Sequence, residues 1–197
     1  QEFTNTFNSL YYNDKQIKKM VDREIILLAS INHPTIIKII GFSLLDFKNK
    51  DHITIVMKYA MNGSLAGILE KNQAGIGPSD YTNTSRQIIL AGIARGMKYL
   101  HDRNIIHRDL KPGNILLDEL FNPLITDFGL SKYFKTGETD IQTQNGGTLI
   151  YRAPEVILGL KYDTKADVYS FGILMFEILT DSFPYPDLLK EKMTDYK

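Results

Sequence analysis

The chain has 197 residues, of which 43% are hydrophobic, and this composition suits one or two compact domains with a core. Its 23 basic and 23 acidic residues balance, so bulk attraction to nucleic acid or to an anionic membrane is not expected. Cysteine is absent, which excludes a disulfide scaffold and a thiolate metal site and fits a reducing, cytoplasmic location. No apolar run reaches membrane-spanning length, and a first residue of Gln1 rather than Met leaves room for targeting segments upstream.

The first predicted helix begins near Asp14 and ends near Ile31, after a stretch at 1–13 that has no clear period and is predicted as loop. Its apolar face comprises Ile17, Met20, Val21, Leu28 and Ile31. Glu24 falls on the same face, where an unpaired carboxylate would be costly to bury. It therefore either reaches solvent at the edge of the helix or has a partner.

Two segments rich in β-branched residues, 36–42 and 53–60, are predicted as strands joined by a polar turn at 46–51. The run Asn-Gly-Ser-Leu at 62–65 then predicts a turn and a short helix, with Ser64 as a candidate N-cap. The two predicted strands thus lead into a helical region.

A longer helix is predicted from Ser79 or Asp80, either of which is able to cap it, to about Asp102. Its apolar positions recur at helical spacing and comprise Ile89, Ile93, Met97 and Leu100. Three histidines have no Asp, Glu, Cys or His at a spacing typical of metal ligands, and we interpret them as structural or surface residues: His33, His52 and His101.

The segment 107–114, His-Arg-Asp-Leu-Lys-Pro-Gly-Asn, concentrates polar groups where Pro and Gly prevent a continuous helix. The apolar runs Ile-Leu-Leu and Leu-Ile-Thr flank turn formers at 118–123 and predict an antiparallel hairpin. A hairpin would bring Asn114 close to Asp127, with Asp109 on the same approach. These oxygen ligands suit Mg²⁺ better than zinc, and the alternative is a polar loop that only caps the hairpin.

The segment 130–152 is polar and rich in glycine, which predicts a loop that is mobile unless tied down. The last predicted helix begins at Asp163 or Thr164 and ends near Thr180. It has almost no polar face, which predicts a fully buried central helix. Asp167 lies in its first turn, where the helix dipole favours a carboxylate.

Three motifs resemble the catalytic loop, metal loop and activation-segment end of eukaryotic protein kinases: the segment 107–114, Asp127-Phe128-Gly129 and Ala153-Pro154-Glu155. They stand in the order and at the spacing of that family, and the resemblance covers nearly the whole chain. It implies an α+β, bilobal fold with a small β-rich N-lobe in residues 1–61 and a mainly helical C-lobe in residues 62–197. The family's Gly-rich loop and strand lysine would precede this chain and its last helices would follow, so we expect a partial domain truncated at both ends.

The resemblance also implies chemical roles. Asp109 would orient the acceptor hydroxyl and accept its proton, Lys111 would neutralise charge on the transferred group, and Thr148 would brace both. Asn114 and Asp127 would hold Mg²⁺ on the phosphates of ATP.

Further positions are implied by the resemblance alone. Arg108 would pair with a phosphate on Thr143 or Thr139 and so order the activation segment, and the alternative is a loop that is not modified. ATP would be contacted by the residues at the hinge and around it: Glu24 (through the upstream strand lysine), Met57, Tyr59, Ala60, Ser64 (at the ribose or the substrate) and Leu116. Structural support would come from His107, Phe128, Gly129, Glu155 and Asp167, of which Asp167 would anchor the loop backbone.

The implied activity is transfer of the ATP γ-phosphoryl group to a Ser or Thr hydroxyl of a protein substrate, since Lys111 and Thr148 resemble serine/threonine rather than tyrosine kinases. The residues at 166–172 resemble those of the tyrosine-kinase-like branch of that group. Nucleic acid is not an expected partner, and no oligomeric state is predicted. Two alternatives stay open: a pseudokinase scaffold, and a small-molecule kinase of related fold, which would lack the segment ending at 153–155.

Overall fold

The computed structural model describes residues 5–7, 31–43, 45–50, 53–127, 132–133 and 149–185. The first predicted helix up to residue 30 lies outside these described residues, together with several predicted site positions, namely Glu24, Phe128, Gly129, Thr139, Thr143 and Thr148. Within the described ranges, no helix combines the length and the apolar character needed to cross a bilayer.

Three antiparallel strands form the small sheet: β1 (Asn5–Phe7), β2 (Ile39–Ser43) and β3 (Ile53–Met57). Their order is β1-β3-β2, so β3 is central. The prediction of loop throughout 1–13 was wrong at β1, because the open edge of β3 offers backbone groups that these three residues pair with. A strand this short is too brief to show an alternating pattern in the sequence.

Two helices follow the sheet, α1 (Leu65–Gln73) and α2 (Asn83–His101). Ser64 caps α1, since its hydroxyl accepts a hydrogen bond from the backbone N–H of Gly67 at 3.3 Å. The α2 cap was predicted wrongly at Ser79 or Asp80. The N-cap is Thr82. The Thr82 side chain accepts a hydrogen bond from the Ser85 N–H, and the Ser85 side chain accepts one from the Thr82 N–H.

The predicted hairpin is confirmed: β5 (Ile115–Leu117) pairs antiparallel with β6 (Pro123–Ile125), and Ile115 faces Ile125. A second short pair joins β4 (Ile105–Ile106) to β7 (Lys132–Tyr133). The remaining helices are α3 (Pro154–Ile157) and α4 (Lys165–Thr180).

The core lies where α2, the hairpin and α4 meet, and its most buried members include Ile89, Ile93, Leu100, Ile115, Leu117, Ile125, Leu174 and Ile178. Two glycines of α2 allow the helix to lie close to strand β6 of the hairpin. A Cβ at Gly92 would lie 2.9 Å from Pro123 Cδ, and one at Gly96 would lie 2.6 Å from Ile125 Cδ1. Any larger residue would therefore push the helix from the hairpin.

Residues 35–37 join the small sheet to the hairpin. The Ile37 N–H donates to the Ile125 carbonyl, and the Ile125 N–H donates to the Thr35 carbonyl, each at 2.9 Å. Ile36 forms a parallel bridge with Ile125, so β2 begins only at Ile39 rather than at 36 as predicted.

The prediction that α4 is fully buried was wrong for the described part of the chain. Leu174 and Ile178 are buried, but Val168, Phe176 and Leu179 are 59%, 48% and 55% exposed. Among the described elements, α2 and the turn at 149–151 make the main contacts with α4. The buried face also carries polar residues, Asp167, Ser170 and Glu177, which hydropathy alone does not assign to an interior.

Candidate active site

Asp167 anchors the segment 107–114, which we call the catalytic loop, from the first turn of α4. Its Oδ2 accepts a hydrogen bond from the His107 N–H and its Oδ1 accepts one from the Arg108 N–H, both at 2.9 Å. The side chain is 1% exposed, and His101 Nε2 lies 2.8 Å from Oδ2. One buried carboxylate thereby satisfies two consecutive loop amides, which keeps the loop backbone in a single conformation.

His107 ties the catalytic loop to the end of β6. Its imidazole is fully buried, and Nδ1 accepts a hydrogen bond from the Asp109 N–H at 3.3 Å. The proton therefore resides on Nε2, which donates to the Thr126 carbonyl at 3.0 Å. This bond fixes the loop against the residue that precedes Asp127.

The Asp109 carboxylate is held from two sides at the surface of the loop. Asn114 Nδ2 donates to the Asp109 backbone carbonyl at 2.7 Å and to Asp109 Oδ2 at 2.8 Å. Lys111 Nζ contacts the same Oδ2 at 2.6 Å. The side chains of Asp109 and Lys111 are 15% and 23% exposed, so a substrate is able to reach them.

Asn114 and Asp127 are brought together by the hairpin, as the sequence predicts. The Thr126 N–H donates to the Asn114 carbonyl at 2.9 Å, which puts Asp127 one residue beyond that contact. Because Asn114 Nδ2 is engaged with Asp109, the amide Oδ1 is the atom available to a cation.

An oxygen ligand pair of this kind fits Mg²⁺, which takes one or two protein ligands and keeps water and phosphate oxygens for the rest. In the portion of the chain that the structure describes, no group of three or more His, Cys, Asp or Glu residues is placed to hold a metal.

Arg108 sits in the left-handed backbone region, with φ of 70°. Its guanidinium lies 5.4 Å from the centre of the Tyr162 ring. Burial lowers the pKa of Arg108, and the neighbouring Tyr162 and Asp167 oppose that shift. The predicted phosphate partners Thr143 and Thr139 lie outside the described residues, so the regulatory role of Arg108 stays a prediction.

The predicted ATP-binding positions that are described surround the hairpin. Met57 ends β3, and its Sδ lies 3.8 Å from the Thr126 hydroxyl, next to Asp127. Ser64 forms an isolated antiparallel bridge with Leu116, so the two residues lie side by side. The hinge positions differ in exposure, since Tyr59 is 47% exposed and Ala60 is 1% exposed.

Several contacts were not foreseen from the sequence. The pairing of His101 with Asp167 joins residues 66 positions apart. Its only sequence signal is a histidine in the last turn of a helix that leads directly into the catalytic loop. Tyr151 donates from its hydroxyl to Glu177 Oε2 at 2.6 Å, inside a helix face predicted to be apolar. The described support position Glu155 lies in the first turn of α3.

A fixed carboxylate beside an ammonium group, next to an amide and a second carboxylate on a hairpin, matches the groups that protein kinases use for phosphoryl transfer. The sequence model of the protein kinase domain matches residues 8–196, and the chain belongs to this family. ATP and a divalent cation are the ligands that the family uses in general.

Relatives include a probable serine/threonine-protein kinase of Dictyostelium discoideum, 38% identical over 90% of the chain. The probable serine/threonine-protein kinase PBL23 of Arabidopsis thaliana is 40% identical over 80% of it. A putative mitogen-activated protein kinase kinase kinase 7-like protein of Drosophila melanogaster is 39% identical over 89%. The chain spans 17%, 40% and 42% of these proteins, less than half of each.

Proposed function

We propose that the protein containing this chain is a serine/threonine protein kinase, which transfers the γ-phosphoryl group of ATP to a hydroxyl of a protein substrate. The observation that carries the proposal is the Asp109 carboxylate, held by Asn114 at 2.8 Å and by Lys111 at 2.6 Å on a loop anchored by Asp167. The relatives from Dictyostelium discoideum and Arabidopsis thaliana, which are named as probable serine/threonine-protein kinases, support it.

Asp109 acts on the acceptor hydroxyl. Among the described residues, both side-chain contacts of its carboxylate fall on Oδ2, and Oδ1 is the oxygen we propose to accept the hydroxyl proton. Lys111 holds its ammonium next to this carboxylate, where it is able to neutralise negative charge that develops on the transferred group. The loop supplies position and charge rather than covalent chemistry.

Bound ATP supplies the phosphoryl group, and Mg²⁺ is the divalent cation that this ligand set favours, held by Asn114 Oδ1 and the Asp127 carboxylate. A cytoplasmic location is also part of the proposal, and the absence of cysteine from all 197 residues supports it.

Asp109→Asn in the intact protein is expected to reduce phosphoryl transfer by about 10²- to 10⁴-fold, because the general base is lost. ATP affinity should stay within about twofold, since the Asp109 side chain contacts Asn114 and Lys111 within the loop rather than the predicted hinge. Transfer of labelled phosphate to a protein substrate and direct nucleotide binding measure the two effects. Asp102→Asn is the matched control, because Asp102 pairs with Lys98 on the exposed end of α2. Transfer that persists in Asp109→Asn would contradict the assigned role.

A further inference from the structure

The strand pair β2 and β3 has an exposed face at the end that leads to the predicted hinge. Opposite residues of an antiparallel pair share a face, and every second residue along a strand returns to it. Ile55 and Met57 therefore lie on one face of β3, where Ile55 is buried and the Met57 Sδ lies next to the Thr126 hydroxyl. Val56 lies on the other face and is exposed. This second face is turned away from the predicted ATP-binding position Met57.

Two lysines stand directly opposite each other on the exposed face. The Lys58 N–H donates to the Lys38 carbonyl at 2.9 Å, which extends the β2–β3 ladder by one residue pair, and Lys58 follows Val56 by two positions. Both lysines are exposed, and in the described part of the chain no salt bridge joins either to an acidic side chain. Like charges at opposite positions destabilise a sheet. A carboxylate between the two ammonium groups would remove that repulsion.

An apolar patch adjoins the lysine pair. The register of the ladder shifts between Ile39 and Gly41, so Ile40 is an extra residue on β2 near Val56. Ile40 is 69% exposed and Val56 is 37% exposed. Gly41 pairs with Val56, and a Cβ added to it would meet no atom of the described residues within 4 Å. The space above Val56 is therefore open to a side chain of another protein.

The far end of the strand pair is also apolar and basic. In the turn after β2, Leu45 and Phe47 are exposed, and so are Lys48 and Lys50. Asp46 Oδ1 accepts hydrogen bonds from the Lys48 and Lys50 N–H groups at 2.8 and 2.9 Å, so this carboxylate holds the turn together. The five residues of β2 span roughly 17 Å. Two pairs of lysines thus lie at opposite ends of the strand pair.

A segment with the complementary pattern carries carboxylates at both ends and apolar side chains between them. An extended chain covers about 3.4 Å per residue, so about five to seven residues span the two lysine pairs. An anionic membrane is a poorer match, because the chain as a whole has no net positive charge to hold it at such a surface.

We propose that the exposed face of β2 and β3 binds an extended acidic segment of a partner protein. Lys38 and Lys58 share one of its carboxylates, and Ile40 and Val56 pack against an apolar side chain that follows. The inference goes beyond the proposed phosphoryl transfer, since it concerns the small sheet and is tested by binding alone.

The test measures binding of fluorescein-labelled peptides to the intact protein by fluorescence anisotropy. Each peptide has two glutamates at either end of a core of about three to seven alternating leucines and serines, and its match has glutamines in their place. At low salt, at least one glutamate peptide should bind about tenfold more tightly than its match, as several exposed ion pairs provide. High salt should reduce this difference, because it screens exposed charges.

Lys38→Gln combined with Lys58→Gln should reduce the preference for the glutamate peptide about threefold, because two of the ion pairs are lost. Ile40→Ser should weaken both peptides, since it removes apolar contact area. Lys161→Gln combined with Lys165→Gln removes the same charge from exposed residues near the start of α4. This matched control should keep the preference.

Lys58→Glu separates binding from stability. It places opposite charges across the ladder from Lys38, so it should raise the urea midpoint of unfolding and still remove the preference for glutamate. A fall in both would mean that the loss of binding comes from a damaged sheet, and would contradict the docking role of Lys58.

Equal affinity for every glutamate peptide and its match would overturn the proposal. A preference that the Lys38 and Lys58 variants leave unchanged would overturn it too. Vesicles of phosphatidylcholine and phosphatidylserine are sedimented with the same variants. Vesicle binding that requires these lysines, without any preference among the peptides, would assign the face to a membrane and refute the acidic partner.

Discussion

Asp167 holds the catalytic loop with two oxygens that accept hydrogen bonds from two consecutive amides. Asp167→Asn replaces one acceptor by an N–H₂ donor, which would face a loop N–H and leave it unsatisfied. We expect a loss of about 1–3 kcal/mol in the free energy of unfolding, the usual cost of one buried unpaired group. Urea titration measures it, with Asp163→Asn as the exposed control just before α4. Equal stability of the two variants would mean that the hydrogen bonds of Asp167 do not stabilise the catalytic loop.

Tyr151 and Glu177 form a buried pair whose stability contribution depends on pH. Burial raises the pKa of Glu177 above its ordinary value of 4.5. The contribution of Glu177 to the free energy of unfolding is therefore fully present below pH 4.5 and is lost as the pH rises through the raised pKa. Tyr151→Phe removes the hydrogen bond that opposes the shift, so the pKa of Glu177 should rise further.

Tyr151→Phe is therefore expected to destabilise the protein more at pH 8 than at pH 5, by about 1–3 kcal/mol at the higher pH. Urea unfolding at both pH values measures the difference. Adding Glu177→Gln to the same variant should abolish the dependence on pH, because no titrating group then remains in the pair. A penalty that is the same at both pH values would contradict the expected further rise in the pKa of Glu177.

At the scale of elements, the sequence predicted the helices and strands that follow from the spacing of apolar residues and from turn-forming residues. The apolar spacing of Ile89, Ile93 and Leu100 marks α2 correctly, and the turn formers at 118–123 mark the hairpin. The sequence did not predict β1, which exists because β3 offers it a partner, or the cap at Thr82, where several polar residues compete. Both depend on contacts between elements rather than on the local pattern.

The close approach of α2 to β6 depends on glycine. Gly92→Ala would gain about 1 kcal/mol of helix propensity, but its Cβ would meet the rigid Pro123 ring. We expect the steric cost to exceed the gain, with a net loss of about 1–3 kcal/mol in the free energy of unfolding.

Gly172→Ala in α4 is the matched control, since no atom of the described residues lies within 4 Å of the added Cβ. It should stabilise the protein by about 0.5–1 kcal/mol, because the propensity gain is not opposed there. Thermal or urea unfolding of both variants gives the comparison. Stabilisation by Gly92→Ala would show that α2 does not pack as tightly on the hairpin as the contacts indicate.

At the scale of the whole molecule, the three kinase motifs allowed the α+β fold to be predicted, while the burial of α4 was overestimated from its hydropathy. Val168, Phe176 and Leu179 are apolar but exposed, and Asp167 and Glu177 are charged but buried. The buried polar residues form hydrogen bonds to the catalytic loop and to Tyr151. Such pairings join distant parts of the chain, and no local sequence pattern records them.

Binding of ATP with Mg²⁺ should raise the melting temperature of the intact protein, because a ligand that binds only the folded state stabilises it. At 100 times Kd the expected gain is about 2.7 kcal/mol. Asp127→Ala should abolish the part of the shift that requires Mg²⁺, since it removes a proposed cation ligand, whereas Asp102→Ala should keep it. Absence of any shift in the unmodified protein would favour the pseudokinase scaffold over the enzyme.

Arg108 and Asp127 both adopt left-handed backbone conformations, with φ of 70° and 62°, that a residue with a Cβ occupies at an energetic cost. Glycine tolerates this conformation better than either residue, and asparagine tolerates it better than Arg108. Arg108 and Asp127 therefore cost stability that glycine at the same positions would not. In laboratory evolution, the identity of these two residues can be followed to ask whether a variant still depends on the proposed phosphoryl transfer.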